Sequence, residues 1–62
     1  MKVYQVVGYP SHHYFVRDFQ EFLQIMSWMK NHDVDYLHES SSQHGYGFSV
    51  RKNIEWFKLK WL

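Results

Sequence analysis

Along this chain the apolar positions change period, from about two residues to about 3.6 and back, and those changes mark out its elements. Residues 2–7 (KVYQVV) are β-branched and aromatic, and predict a strand with Val3, Gln5 and Val7 on one face and Tyr4 and Val6 on the other. Gly8, Tyr9, Pro10 and Ser11 break it, because Pro10 has no N–H to give a ladder and restricts the residue before it. Residues 12–17 (HHYFVR) fit either a second strand, hairpinned to the first, or an irregular lead into a helix.

The helix is the clearest element. Asp18 followed three residues later by Glu21 matches a capping box. Phe19, Phe22, Leu23, Met26 and Met29 then share one face at 100° per residue, and Asn31, His32 and Asp33 supply the stop. Trp28 falls on the polar side of this helix, with Ile25 at the flank of the apolar stripe. Residues 34–39 fit an edge strand, 40–45 (SSSQHG) a loop, 46–50 a strand and 51–53 a turn. Residues 54–62 (IEWFKLKWL) favour a final strand with Phe57, Leu59 and Trp61 on its packed face. A short helix is the alternative, with Asn53 as cap and Ile54, Phe57 and Trp61 at helical spacing.

Two layers are the minimum that buries both the helix stripe and one sheet face. The expected fold is therefore α+β, one amphipathic helix on an antiparallel sheet of three to five strands, spanning residues 1–62 as a single domain. The other sheet face then stands open, with Tyr4, Tyr14 and Trp56 as candidates to occupy it.

Composition sharpens this picture. A chain of 62 residues has little core to bury, and small domains usually add a disulfide, a metal or self-association. There is no cysteine, which removes disulfides, thiolate metal sites and cysteine nucleophiles. Five Phe, five Tyr and three Trp leave aromatic packing or a partner as the stabilising device. No apolar run approaches a membrane span and no signal-peptide pattern opens the chain, so the expectation is a cytoplasmic protein without membrane contact. Met1 and the apolar end at Leu62 suggest a complete small chain, such as a viral accessory protein. Formal charge is +1 but bipolar. Residues 17–50 carry Asp18, Glu21, Asp33, Asp35 and Glu39 against Arg17 and Lys30, whereas residues 51–62 carry Arg51, Lys52, Lys58 and Lys60 against Glu55.

Candidate chemistry is sparse. His32, His38 and His44, with His12 or His13, have imidazoles for zinc but no helical i, i+4 pair, so no metal ligand or cofactor is assigned. Ser11, His12 and Asp18, or Ser41, His44 and Glu39, hold the residue types of a triad, but as neighbours in one loop they lack its architecture, so no catalytic residue is assigned.

Binding signals remain. An indole in place of a solvent-facing polar residue makes Trp28, with Ile25, Asp35, Tyr36 and Trp56, a candidate protein-binding surface. The expected function is a small non-enzymatic binding or inhibitor protein acting through aromatic and acidic side chains, self-associating as a homodimer. The alternative is a single-stranded nucleic-acid-binding module. Residues 44–50 (HGYGFSV) resemble a fragment of the ribonucleoprotein consensus of RNA-recognition sheets, and the equivalent strand of cold-shock barrels. His44, Ser49 and Arg51 depart from that consensus. The resemblance implies that Tyr46 and Phe48 stack on bases, with Arg51, Lys52 and Lys58 meeting phosphates.

Overall fold

Three left-handed residues and two tight turns organise the chain into six elements. A computed structural model describes residues 3–62: β1 (Val3–Tyr4), β2 (His13–Val16), α1 (Phe19–Asn31), β3 (Asp35–Ser42), β4 (Gly45–Lys52) and α2 (Ile54–Trp61). The four strands form one antiparallel sheet in the order β1-β2-β4-β3, and both helices pack against it, giving an α+β two-layer domain. Lys2 lies outside the described residues.

The core follows from the pleat of β2 and β4. Tyr14 sits opposite Phe48 and Val16 opposite Tyr46, so these four share the face that meets the helices. Against them α1 lays Phe22, Ile25 and Met29, all buried, and α2 contributes Phe57. Rings interlock there. Phe57 lies 4.8 Å from Tyr14 and edge-on to Phe48 at 5.7 Å, and Phe22 stacks on Tyr46 at 5.1 Å.

The helix stripe is rotated from its expected centre. Phe19 and Leu23 stand nearly half-exposed while Ile25 is fully buried, because the Phe22, Ile25, Met29 line faces the sheet directly. The Asp18 half of the capping box is not made. Asp18 takes the extended N-cap conformation, but its side chain accepts no cap hydrogen bond; the first turn closes through Phe22 N–H to the Asp18 carbonyl at 2.9 Å.

Three boundaries differ from expectation. The first strand covers only Val3 and Tyr4, since Val7 is fully exposed and finds no partner face. Ser40, Ser41 and Ser42 continue β3 rather than forming a loop, because pairing with Gly47, Tyr46 and Gly45 satisfies their backbone groups. Arg51 and Lys52 likewise continue β4 rather than forming a turn. The β3–β4 connection narrows to Gln43 and His44, and Gly45 makes it possible. Its φ is +104°, and a Cβ there would fall 2.5 Å from the Val16 carbonyl oxygen.

The last segment is a helix, not the strand that was favoured. Asn53 adopts the left-handed conformation (φ 55°) and turns the chain out of the sheet, and its amide donates to the Asp33 carbonyl at 2.8 Å instead of capping α2. Phe57 is buried and Ile54 and Trp61 are half-buried, the helical set; Leu59, an inward residue in the strand reading, is 82% exposed.

Two buried polar side-chain atoms have no hydrogen-bond partner among the described residues, the Trp61 Nε1 and the hydroxyl of Tyr14. Tyr14 is the fully buried one of the two. Burial and then the nearby Glu55 carboxylate push its pKa above the usual tyrosine range. Tyr14→Phe removes an unpaired polar atom while keeping the ring, so stability in urea titration is expected to be unchanged or to rise by up to about 1.5 kcal/mol. A clear loss would mean that the hydroxyl is bonded in solution. Gly45→Ala is expected to lower stability by at least about 1 kcal/mol, read the same way, because no alanine tolerates both the positive φ and the approach to Val16.

Candidate functional site

The face of the sheet away from the helices carries the domain's second ring cluster. Alternation along β2 sends His13 and Phe15 there, and along β4 it sends Gly47, Ser49 and Arg51. Phe15 pairs with Gly47, and the missing side chain at Gly47 is what lets the layer form. A Cβ at that position would meet Phe15 Cε1 at 2.7 Å and His13 Nε2 at 3.0 Å.

Over this floor the β1–β2 turn folds back. Tyr9 stacks on the His13 imidazole at 5.2 Å and stands edge-on to Phe15 at 4.9 Å and to His44 at 6.0 Å. His44 in turn lies 5.4 Å from Phe15, and the Tyr4 hydroxyl donates to the His44 carbonyl, joining the β1 strand to the β3–β4 turn. The Gln5 side-chain amide donates to the Ser11 carbonyl and holds the Tyr9 loop in place. Arg17 caps one end with its guanidinium 5.6 Å from the centre of the Tyr4 ring. Tyr9 remains 43% exposed, so the layer presents an aromatic surface.

His13 is the one histidine closed into this layer. Its Nδ1 shares a 2.7 Å hydrogen bond with Ser49 Oγ, and both residues are buried. Burial, then the neighbouring His12 and His38, lower its pKa from the ordinary 6.5. The Ser49–His13 contact has the residue types of a nucleophile and base, but both lie beneath the ring layer, where the contact serves as a satisfied polar pair.

The residues singled out from sequence fall in separate places. Phe48 is fully buried and Tyr46 packs on Phe22 and Phe19, so both rings point to the helices and away from the open face. Tyr14 also belongs to the core rather than to the open face, and Trp56 stands 59% exposed on α2. Ile25 is in the core and cannot flank a docking indole. Trp28 is half-buried, stacked on His32 at 4.5 Å and edge-on to Trp61 at 5.9 Å, so α2 covers much of it. Asp35 is exposed and pairs with Arg51 at 3.4 Å, and Lys52 pairs with Asp33 at 3.0 Å. Tyr36 is half-buried at the sheet edge, with its hydroxyl 3.4 Å from Glu39 Oε1 and its pKa raised by burial and then by that carboxylate. Lys58 is exposed on α2. Among the described residues no three His, Cys, Asp or Glu side chains gather as a metal donor set, and no helix is long and apolar enough to cross a membrane.

The cluster of Tyr4, Tyr9, His13, Phe15 and His44 was not assembled from sequence. Its available signal was the run from His13 to Val16, in which both alternating sets of side chains are bulky and uncharged at neutral pH apart from the imidazole, the pattern of a strand covered on both faces. The domain thus has exposed aromatic and charged surface patches. No protein-family model, curated protein or solved structure matches this chain.

Because the folded state resists protonation of His13, the unfolded chain takes up a proton as pH falls through 6.5 and the folded chain does not. Stability is therefore complete above that pH and declines below it, at no more than about 1.4 kcal/mol per pH unit. Urea midpoints at pH 7.5, 6.5 and 5.5 should fall in that order, and the slope should shrink in His13→Phe. A wild-type curve flat over this range would mean that His13 is not sheltered. Gly47→Ala should cost about 1–3 kcal/mol by crowding Phe15.

Proposed function

We propose that this domain binds single-stranded nucleic acid across its outer sheet face, acting by binding alone. The observation that carries the reading is the layer of rings on the face no helix covers, with Tyr9 presented to solvent and Arg17 and Arg51 at its margins. An exposed ring stacks on any base, worth about 1–3 kcal/mol per base, and flanking guanidinium groups meet phosphate oxygens. Arg51 is shared with Asp35 at 3.4 Å, an exposed and weak pair that a phosphate can replace, and Asp33 is held by Lys52. The mode differs from the one implied by residues 44–50. Tyr9, with Tyr4 and His44 beside it, takes the stacking role, in place of Tyr46 and Phe48, which serve the core.

Two arginines predict weak electrostatics. For a single strand, the logarithm of affinity should fall with the logarithm of salt at a slope of about −1.4. Anisotropy of labelled 15-residue oligo-dT and oligo-U across a salt series checks this. Tyr9→Ala should reduce affinity about tenfold or more with the circular dichroism spectrum preserved, and Arg17→Ala should flatten the salt slope by about 0.7. Affinity indifferent to both substitutions would sink the reading.

A second reading, association with another protein or with a second copy, is favoured by α2. Trp56 and Leu59 on that helix and Leu62 after it are all exposed, with Lys58 and Lys60 interspersed among them. On this reading sedimentation equilibrium gives a mass above the monomer's that Leu59→Glu returns to the monomer value.

A further inference from the structure

The open edge of the sheet holds a different kind of site. β3 is an outermost strand, and between its first residues and α1 lies a groove of about 450 Å³ lined by Met26, Ser27, Lys30, Val34, Asp35 and Tyr36. Met26, Val34 and Tyr36 are its apolar lining. Of its two charged residues, Lys30 has no carboxylate partner among the described residues, whereas Asp35 is engaged by Arg51.

The backbone beside this groove turns toward the open edge. Val50 N–H donates to the His12 carbonyl at 3.0 Å, so Val50 turns its backbone polar groups toward β2. Tyr36 sits directly opposite Val50, and in an antiparallel ladder it must turn its own N–H and C=O the other way, to the open edge. The Tyr36 N–H confirms this: its partner is the Oδ1 of Asp35, 3.0 Å away within the same strand. The register slips on both sides of Tyr36 and Leu37, between Asp35 and Tyr36 and again between Leu37 and Ser40, where His38 is left-handed (φ 57°), and such irregularities confine pairing to the residues between them. One short stretch of edge is therefore open, and it is the stretch that borders the groove.

We propose that this groove takes an extended peptide as a fifth strand beside β3, with an apolar side chain of the peptide on Met26 and Val34 and a carboxylate of the peptide on Lys30. Strand addition supplies main-chain hydrogen bonds, and the pocket and the cation select the sequence. The peptide's carbonyl replaces Asp35 Oδ1 on the Tyr36 N–H. This site lies on the helix side of the edge strand, apart from the ring layer of the outer face.

The probe is a phage library of random nine-residue peptides displayed with free C-termini, panned against the intact protein. Enriched peptides should combine β-branched or apolar residues with a carboxylate, side-chain or terminal. Synthetic copies should lose at least tenfold in affinity for Lys30→Glu and for Ser27→Trp, which fills the groove from an exposed position. Binding to Arg17→Ala should be unchanged and oligo-dT should weaken binding only slightly, which separates this site from the outer face. Hydrogen exchange of the Tyr36 amide should slow in the complex, a backbone readout that a surface contact elsewhere would not move. Three results would overturn the proposal: no enrichment over the Ser27→Trp protein, enriched peptides that leave Tyr36 exchange unchanged, or a dimer abolished by Ser27→Trp, which would make a second copy the occupant.

Discussion

The seating of Phe15 over Gly47 is the contact on which the rest of the domain depends. β2 has only four residues, all buried, two toward each face. A strand covered on both sides in so small a protein needs a second layer, and the layer exists because Gly47 gives Phe15 and His13 the space a side chain would take. Once Phe15 occupies that position, the pleat leaves no choice for its neighbours. Tyr14, Val16, Tyr46 and Phe48 must face the helices, and Tyr4, Tyr9 and His44 gather on the other side. The small helical core is thereby supplemented by aromatic stacking on the opposite face, in a chain with no disulfide.

That contact also explains where sequence reasoning stopped. The period of two told correctly that Tyr46 and Phe48 share a face, and the helical period placed α1 to within a residue. Neither period says which face is inside. That choice depends on a cross-strand partner, Gly47 against Phe15, that no local pattern reveals. The C-terminal segment was misread for a related reason. Residues 54–62 satisfy the strand and helix templates almost equally, and the decision lies with Asn53 in its left-handed conformation and with the space beside Tyr14 that Phe57 fills. Trp28 looked free because its cover, Trp61, sits thirty-three positions away.

The bipolar charge pattern was legible but its use was not. An acidic middle and a basic end suggested two surfaces for two kinds of partner. In the fold they meet each other: Asp33 with Lys52 and Asp35 with Arg51, while the Asn53 amide reaches the Asp33 carbonyl. Each exposed pair is worth at most about 1 kcal/mol. Their larger effect is positional, since together they tie the turn before β3 to the end of β4, and so fix where α2 starts. Among the described residues the cations that remain are distributed, with Arg17 at the outer face, Lys30 at the edge groove and Lys58 and Lys60 on α2.

Asp35 then acquires a role beyond its ion pair. Its Oδ1 accepts from the Tyr36 N–H at the open edge and its Oδ2 faces Arg51, which projects toward the outer face. The two proposed surfaces therefore share one carboxylate. A phosphate that draws Arg51 away leaves Asp35 wholly to the Tyr36 N–H, which a strand must then take from it; a strand that takes the Tyr36 N–H returns Asp35 wholly to Arg51 and lessens that arginine's charge toward a phosphate. The two effects have the same sign, as linkage requires of a single coupling free energy. The coupling between the two surfaces is accordingly negative and small, since it passes through one solvent-exposed ion pair.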